Sequence, residues 1–311
     1  MRIRLRRTTA IALALAAVSF STAAAASPPD PYAAPAALPA LAPDHLDTRY
    51  AATRASISQA LTTARRMDDS AKARALSGLL RPGRTFLSFD ARGRGEAVEV
   101  IGDLRTATRI AIVVPGADNT LTDYDSWKFA GGGARSLYDN APRGSRLAVI
   151  AWLGYRAPAM LSTAALTTGR ADEATPALRA LVADLHRIVP SAHLGLLCHS
   201  YGTVVCARAV HGLPIDELAL YGSPGVAARD VAALHTRATV WAGRKSTDWI
   251  AWVPHIRLFD VGFGIDPVTP RFGARIFDAG HGTHSEYLKP GTKSLAQLTH
   301  IALGQNQEVA P

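Results

Sequence analysis

Short apolar runs recur along the chain and alternate with amphipathic segments. Six of them are nearly continuous in apolar residues: RIAIVVPGA (109–117), RLAVIAW (146–152), HLGLLC (193–198), ELALYGS (217–223), ATVWAG (238–243) and ARIFDA (274–279). Strands that are buried on both faces have this composition, because neither face of such a sheet meets water. The runs therefore predict strands of a central sheet.

The segments around these runs predict how the sheet is connected. Two β-type stretches around a Gly-containing turn predict a hairpin at 85–102. A helix is predicted to begin with Thr175 as its N-cap and Pro176 as its first residue, and to end at Pro190. The last helix is expected over 294–304. Strands that alternate with helices predict an α/β fold, in which a mainly parallel central sheet carries helices on both faces.

The first 26 residues have the composition of a secretory signal peptide that is cleaved after export. Four arginines precede an apolar stretch, Ala10 to Phe20, and a run of small residues follows at Ala23 to Ala26. A spanning helix needs about 20 apolar residues, so this stretch is too short for an anchor. We expect a secreted protein, extracellular or cell-wall associated, with no integral membrane anchor after signal cleavage. The sequence leaves Sec and twin-arginine export open.

The rest of the chain is predicted to be a linker followed by one domain. Residues 27–44 contain six prolines, which predicts an extended, poorly packed tether. Between 45 and 82, apolar residues at helical spacing predict one or two amphipathic helices. Residues 45–311 are therefore expected to be one α/β domain with an N-terminal helical extension (45–82), since a chain of this length holds one large core more readily than two.

The charge of the chain argues against two classes of partner. Formal net charge is +9, and it falls to +5 when the four arginines of the signal are removed. Basic residues alternate with acidic ones, whereas proteins that bind nucleic acid or anionic membranes usually carry a dense basic block. We therefore expect no nucleic acid among the partners.

A serine, Ser200, stands at the joint between HLGLLC and the following helix, within CHSYG. A nucleophile elbow needs a sharp strand-to-helix turn, with small residues two positions before and after the serine. Gly202 meets this requirement, and Cys198 stands where glycine is usual but is still small. A helix N-cap is the alternative role. The position between a buried strand and a helix favours a nucleophile.

A serine nucleophile needs a base and an acid that orients it, and in this architecture they follow in the order serine, acid, histidine. Asp248, in the loop after ATVWAG, is the favoured acid, with Asp260 and Asp266 as alternatives. His281 and His284 both lie in the loop after the last strand, which leaves the base open between them. Their H-x-x-H spacing lacks a matching third ligand cluster, so no metal site is predicted.

Two backbone N–H groups are expected to form an oxyanion hole. The elbow points the amide of Tyr201 at the developing oxyanion, helped by the helix N-terminus. The loop VVPGADNT supplies the second donor, Ala117, beside Gly116, which makes room for it. An ordinary turn is the alternative for this loop. His199, next to the serine, is expected to be structural because its side chain should point away from the attacking face.

The only cysteines of the chain, Cys198 and Cys206, both lie in the elbow segment. Export permits a disulfide, and the close approach of strand and helix at an elbow brings a separation of ~4.4–6.8 Å between α-carbons within reach. Such a bridge would close a short loop around the serine. Two buried free thiols are the alternative.

These motifs together resemble the α/β-hydrolase superfamily and, more narrowly, an actinobacterial-type α/β-hydrolase domain family formerly of unknown function. The motifs, in order over roughly residues 85–303, are VVPGADN, IAWLGYRAP, LCHSYGTVVC, YGSPGV, DWI, GIDPVTPRFGARIF and HSEY. The resemblance implies Ser200 as nucleophile, Asp248 as acid, and His284 rather than His281 as base. It implies no defined substrate.

We therefore predict a secreted serine hydrolase that cleaves a carboxylic ester or related acyl bond of a small-molecule substrate and needs no metal or organic cofactor. A peptidase or amidase with the same triad, a lipase or cutinase-like esterase, and a catalytically silent wall-associated protein are the alternatives. Aromatic residues near the strand ends (Trp152, Tyr155, Trp249 and Trp252) would accommodate an apolar acyl group, although core packing explains them equally well. The sequence has no long amphipathic lid insertion, so interfacial activation is not expected.

Overall fold

A twisted sheet of eight strands organises residues 29–305, the part of the chain that the computed structural model describes. The signal peptide predicted at residues 1–26 lies outside the described residues. The strands are β1 (Thr85–Asp90), β2 (Glu96–Ile101), β3 (Arg109–Val114), β4 (Leu147–Leu153), β5 (His193–His199), β6 (Glu217–Tyr221), β7 (Thr239–Gly243) and β8 (Arg275–Ile276). Their order is β1-β2-β4-β3-β5-β6-β7-β8, with antiparallel pairing of β2 to β1 and to β4 and parallel pairing elsewhere. The predicted mainly parallel sheet is confirmed.

Helices cover both faces of this sheet. Within the described range they are α1 (Leu46–Arg66), α2 (Ser70–Leu79), α3 (Ala130–Asn140), α4 (Gly169–Ile188), α5 (Tyr201–Ala209) and α6 (Lys293–Ala302). Residues of β3 alternate between two cores: Ile110 and Ile112 belong to the one that contains α4 and α5, whereas Ala111 and Val113 belong to the other. None of the helices between residues 29 and 305 has the length and apolar character to cross a membrane. The burial of both faces explains why the strand sequences are almost continuously apolar.

The proline-rich segment packs more closely than the sequence predicts. Tyr32 and Leu41, within the predicted 27–44 tether, are buried and contribute to the two cores. From Pro31 to residue 305 the chain belongs to one compact unit. The segment is therefore anchored at two positions, while most of its other residues are exposed. Prolines restrict the unfolded chain, so anchoring it by two large apolar side chains costs little conformational entropy.

The helix that precedes β5 begins earlier than predicted. Because α4 starts at Gly169, Pro176 lies inside it, and Thr175, the predicted N-cap, donates its hydroxyl to the carbonyl oxygen of Ala171. Ala171 is fully buried, as is Leu178 two turns further on. The packing of this additional stretch against the core offsets the backbone hydrogen bond that the proline removes.

Candidate active site

Ser200 lies at the turn between β5 and α5, at the carboxyl edge of the sheet. Its backbone has φ 52° and ψ −126°, a strained conformation that few residues other than glycine adopt. The turn is closely surrounded: a Cβ added at Gly116 would lie 3.1 Å from Ser200 Oγ, and one at Gly202 would lie 2.6 Å from the carbonyl oxygen of Pro115. Both predicted supporting glycines therefore stand where a side chain has no room.

His284 and Asp248 form a continuous hydrogen-bonded chain with Ser200. His284 Nε2 lies 2.9 Å from Ser200 Oγ, and His284 Nδ1 lies 2.9 Å from Asp248 Oδ1 and 3.0 Å from Oδ2. All three residues are buried: His284 is 4% exposed, Ser200 7% and Asp248 1%. This is the geometry of a nucleophile, a base and an orienting acid. The structure thus brings together the three residues that the sequence analysis assigned to these roles.

The alternative candidates have other partners. Asp266 forms an ion pair with Arg244, and Asp260 leaves 95% of its side chain exposed. His281 is exposed, with its Nδ1 3.0 Å from the hydroxyl of Ser246. The two histidines of HGTHSE therefore serve different partners and do not act as a pair.

Hydrogen bonds between two loops fix the positions of Asp248 and His284 relative to each other. The loop after β7 is hydrogen-bonded to the loop after β8 through three consecutive residues that precede Asp248: Lys245 Nζ to His281 O (3.2 Å), Ser246 N to Gly280 O (3.1 Å) and Thr247 Oγ1 to Gly282 O (2.9 Å). The ammonium of Lys245 also donates to the carbonyl oxygen of Ala279, and the residue is only 1% exposed. These bonds position an acid and a base that lie 36 residues apart in the sequence.

Tyr287 is a member of the site to which the sequence analysis gave no role. Its hydroxyl donates to Asp248 Oδ2 at 2.6 Å and accepts from the backbone N–H of Lys245 at 2.9 Å. Asp248 also accepts from the N–H of Ile250. Burial alone would raise the pKa of Asp248, but the hydrogen bond and charge of His284, together with these donors, hold that pKa below its ordinary value. The carboxylate therefore stays ionised and directed at the imidazole.

His199 contacts His284, the candidate base, directly. Its Nε2 lies 2.8 Å from the backbone oxygen of His284, and the two ring centroids are 4.8 Å apart. A ring nitrogen that bonds to a carbonyl oxygen must donate, so Nε2 carries a proton. Burial, reinforced by the charge of His284, lowers the pKa of His199 to about 3. The ring is therefore neutral near pH 7 and supports the His284 backbone, which agrees with the structural role expected for it.

The partly buried, neutral ring of His199 predicts a pH dependence of stability. An unfolded histidine has a pKa of about 6.5, so the unfolded chain takes up this proton first as the pH falls. The contribution to stability is complete above pH ~6.5 and declines toward pH ~3, by up to about 1.4 kcal/mol per pH unit. In urea unfolding between pH 7 and pH 4, we expect His199→Gln, which keeps a donor but cannot titrate, to depend less steeply on pH than the wild type. Equal slopes would contradict this.

The two predicted oxyanion donors lie in the loop after β3 and at the start of α5. Ala117 follows Gly116, which contacts Ser200, and Tyr201 is the first residue of α5. Within residues 29–305, neither backbone N–H donates a hydrogen bond to another group. A pair of unengaged N–H groups beside a nucleophile is suited to binding an oxyanion.

Two buried side chains that the sequence analysis did not assign to the oxyanion hole shape this loop. The hydroxyl of Tyr155 donates to the carbonyl oxygen of Pro115 at 2.8 Å. The side-chain amide of Asn119 donates to the carbonyl oxygens of Gly116 and Ala117, both at 3.2 Å, and its oxygen accepts from the first N–H of α3 at 3.0 Å. These bonds engage the carbonyl groups of the loop, and the N–H of Ala117 remains available to the site.

The aromatic residues near the strand ends divide into two kinds. Trp152 and Tyr155 are buried in the core, where their rings stack with centroids 5.6 Å apart. Trp249 and Trp252 are 37% and 80% exposed, and the Trp249 ring lies 4.7 Å from that of His284. Of these aromatic residues, Trp249 is the one that lies against His284 and is also partly exposed.

A disulfide joins Cys198, in β5, to Cys206, in α5. The α-carbons are 6.5 Å apart and the two residues are separated by eight positions, so the bridge closes a loop that contains Ser200. Cys198 thus occupies the position at which an elbow usually has glycine, and it ties the strand to the helix directly beneath the turn.

Removal of this disulfide is expected to lower stability moderately. The loop-entropy relation gives about 2–3 kcal/mol for a loop of this length. We expect Cys198→Ala/Cys206→Ala to unfold at a correspondingly lower urea concentration than the oxidised wild type, and dithiothreitol to lower the stability of the wild type but not of the variant. Two titratable thiols in the unfolded, unreduced wild type would contradict the bridge.

The fold and the arrangement of these side chains are those of α/β hydrolases. The sequence model of the family described as alpha/beta hydrolase matches residues 90–258, which is more than half of the chain. The chain belongs to this family of hydrolases.

The similar proteins include two mycobacterial relatives. The uncharacterized protein Rv2079 of Mycobacterium tuberculosis is 28% identical over 258 residues, which cover 70% of this chain and 38% of the relative. The uncharacterized protein Mb0988c of Mycobacterium bovis is 32% identical over 174 residues, which cover 51% and 65%. The chain therefore spans less than two thirds of the length of these relatives. Among solved structures, esterase PE8 is 16% identical with a TM-score of 0.45, covering 64% of this chain and 94% of the esterase.

Proposed function

We propose that this protein is a serine hydrolase that cleaves a carboxylic ester or a related acyl bond. The observation that carries the proposal is the unbroken chain of hydrogen bonds from Ser200 Oγ through the imidazole of His284 to Asp248. The serine itself is held in a strained turn, beside two backbone N–H groups that donate to no other group of the described chain. A merely structural serine would need none of these features.

In the proposed first half-reaction, Ser200 Oγ attacks the acyl carbon while His284 Nε2 takes the hydroxyl proton. The negative charge that develops on the acyl oxygen is stabilised by the N–H groups of Ala117 and Tyr201. Asp248 stabilises the imidazolium through Nδ1. The tetrahedral intermediate then collapses, the imidazolium protonates the leaving alcohol, and the acyl group remains on the serine.

The second half-reaction repeats these roles with water. His284 removes a proton from a water molecule, which attacks the acyl carbon of the acyl-serine. The intermediate releases the carboxylic acid as Ser200 Oγ recovers its proton from the imidazolium. Because the pKa of Asp248 is lowered, the acid remains ionised in both halves.

The surroundings of the triad favour an ester with an apolar acyl group over a peptide. The partly exposed indole of Trp249 lies against the His284 ring, where it offers an apolar contact to a bound acyl chain. A peptide would need polar partners for its backbone along both sides of the scissile bond. We therefore place a peptidase or amidase second.

Hydrolysis of p-nitrophenyl esters of graded acyl length, measured beside aminoacyl p-nitroanilides, tests this function. We expect ester hydrolysis by the purified protein, with kcat/KM that rises from acetate to medium-chain esters, and much slower cleavage of the anilides. Faster cleavage of the anilides would instead support the peptidase. No turnover of either series, with no fluorophosphonate labelling, would support a silent protein on this fold.

We also propose that the protein is exported and acts outside the cell or in the cell wall. The support is the signal-like composition of the first 26 residues, together with a disulfide bond beside the nucleophile. Expression in a secreting host should yield culture-medium protein whose amino terminus is Ser27 or close to it. Full-length protein retained in the cells would contradict export.

A further inference from the structure

Exposed apolar side chains are concentrated on two stretches of the chain. The structure describes eleven large apolar residues as exposed, and nine of them lie within residues 158–167 and 249–262. They are Met160, Leu161, Leu166, Trp249, Trp252, Ile256, Leu258, Phe259 and Val261. Isolated exposed apolar residues are common on soluble proteins, but such clustering marks an interaction surface. We call the two stretches the 158–167 loop and the 249–262 segment.

The 158–167 loop is attached to the oxyanion side of the site. Its first residue, Pro158, accepts a hydrogen bond from the N–H of Asp118 at 2.9 Å, and the Asp118 side chain accepts from the N–H of Met160 at 3.0 Å. At the other end, the Tyr201 hydroxyl donates to the carbonyl oxygen of Thr167 at 2.7 Å. Both ends of the loop are therefore held by neighbours or members of the proposed oxyanion hole.

The 249–262 segment is attached to the acid and the base. It begins directly after Asp248, and its first side chain, Trp249, lies against the His284 ring. Near its end, the N–H of Gly262 donates to the carbonyl oxygen of Leu166 at 2.9 Å, which joins the segment to the 158–167 loop. The two stretches therefore adjoin each other, one attached beside the proposed oxyanion donors and the other beside His284.

Part of the 249–262 segment is a tight hairpin with exposed apolar side chains. Leu258 and Val261 exchange two backbone hydrogen bonds of 3.0 Å, and Phe259 stands at the turn with φ 53° and 88% of its area exposed. A bulky side chain rarely adopts this backbone conformation, and here its ring gains no burial within the chain. The charges of Arg257 and Asp260 lie 4.0 Å apart and offset each other, so residues 256–261 carry no net charge.

We propose that the 158–167 loop and the 249–262 segment insert into the apolar layer of a lipid aggregate, and that the substrate is an ester embedded in it. This inference rests on the proposed function and names its substrate class. A partner that covers the 158–167 loop and the 249–262 segment must still allow an acyl bond to reach Ser200. A lipid layer meets this condition, because the ester to be cleaved lies within the layer itself. A protein bound at the same place would close the site. The uncharged hairpin suits zwitterionic lipid, with no need for anionic headgroups.

The test compares Leu258→Ser/Phe259→Asn with Met67→Ser, a control that removes an apolar side chain 55% exposed at the end of α1. Asparagine tolerates the positive φ at 259, so the fold is retained. Binding to phosphatidylcholine vesicles is measured by flotation, and hydrolysis is measured on soluble p-nitrophenyl acetate and on a long-chain ester embedded in the same vesicles. We expect the double variant to lose vesicle binding and vesicle hydrolysis by about tenfold or more, since it lacks two exposed apolar side chains that the lipid would bury. Acetate hydrolysis and the control should match the wild type.

Leu161→Ser, on the 158–167 loop, provides a second variant and is expected to weaken vesicle binding in the same direction. The inference is overturned if the wild type hydrolyses acetate but does not bind vesicles, or if the double variant binds them as the wild type does. An equal loss of acetate hydrolysis in a folded double variant also overturns it, because the segment would then serve catalysis itself. Vesicle binding by a wild type that hydrolyses neither ester would support the surface and contradict the proposed function.

Discussion

Ser200→Ala is expected to reduce ester hydrolysis by roughly 10⁴- to 10⁶-fold and to abolish labelling by a fluorophosphonate. In the proposed mechanism Oγ is the atom that bonds to the acyl carbon, and no other hydroxyl of the described chain bonds to His284 Nε2. The substitution removes one oxygen and keeps Cβ, so the elbow should retain its shape. Initial rates on p-nitrophenyl butyrate and a fluorescent fluorophosphonate gel measure the two effects.

Ser285→Ala is a suitable control for the nucleophile, because Ser285 is an exposed serine directly after the proposed base. It should retain both activity and labelling. Labelling of Ser200→Ala at the wild-type rate would place the nucleophile elsewhere. Full hydrolysis without labelling would argue against a covalent serine mechanism.

The second large effect is expected at the base. His284→Gln should lower kcat/KM by roughly 10⁴- to 10⁶-fold, because the residues of a triad act as a unit and a glutamine cannot accept the serine proton. The matched control is His281→Gln, three positions earlier in the same loop, whose ring is exposed and bonds to Ser246. It should keep most of the activity on p-nitrophenyl butyrate.

The rate of fluorophosphonate labelling separates the two histidines further. Ser200 in the His284→Gln protein lacks its base, so labelling should slow along with turnover, while His281→Gln should be labelled at nearly the wild-type rate. The reverse pattern would assign the base to His281 and would require the loop after β8 to rearrange.

The elbow was predictable because all of its determinants are local. An apolar strand, a serine, two small flanking residues and a helix occupy one continuous stretch from His193 to Ala209. The same holds for the hairpin of β1 and β2 and for the buried parallel strands, whose composition follows directly from the absence of water on either face.

Other contacts of the site left no local signal. The Tyr287 hydroxyl reaches an acid 39 positions earlier, and His199 bonds to a carbonyl oxygen 85 positions later. Neither hydrogen bond alters the hydrophobic pattern along the chain. Asn119 resembles any turn residue until the first turn of α3 is placed beside it. The start of α4 was predicted incorrectly for a related reason. Pro176 usually marks the first turn of a helix, but packing of residues 169–175 against the core extends α4 before it.

By itself, the sequence determined the strand series and the position of the serine at its elbow, because periodicity and turn chemistry act between neighbouring residues. Only the tertiary structure decided that the loops after β7 and β8 meet, so that His284 and not His281 faces Ser200. It also decided which aromatic residues are core. Trp152 and Trp252 both lie near strand ends in the sequence, yet Trp152 is buried and Trp252 is exposed. The difference arises because burial depends on what the rest of the chain packs over each ring.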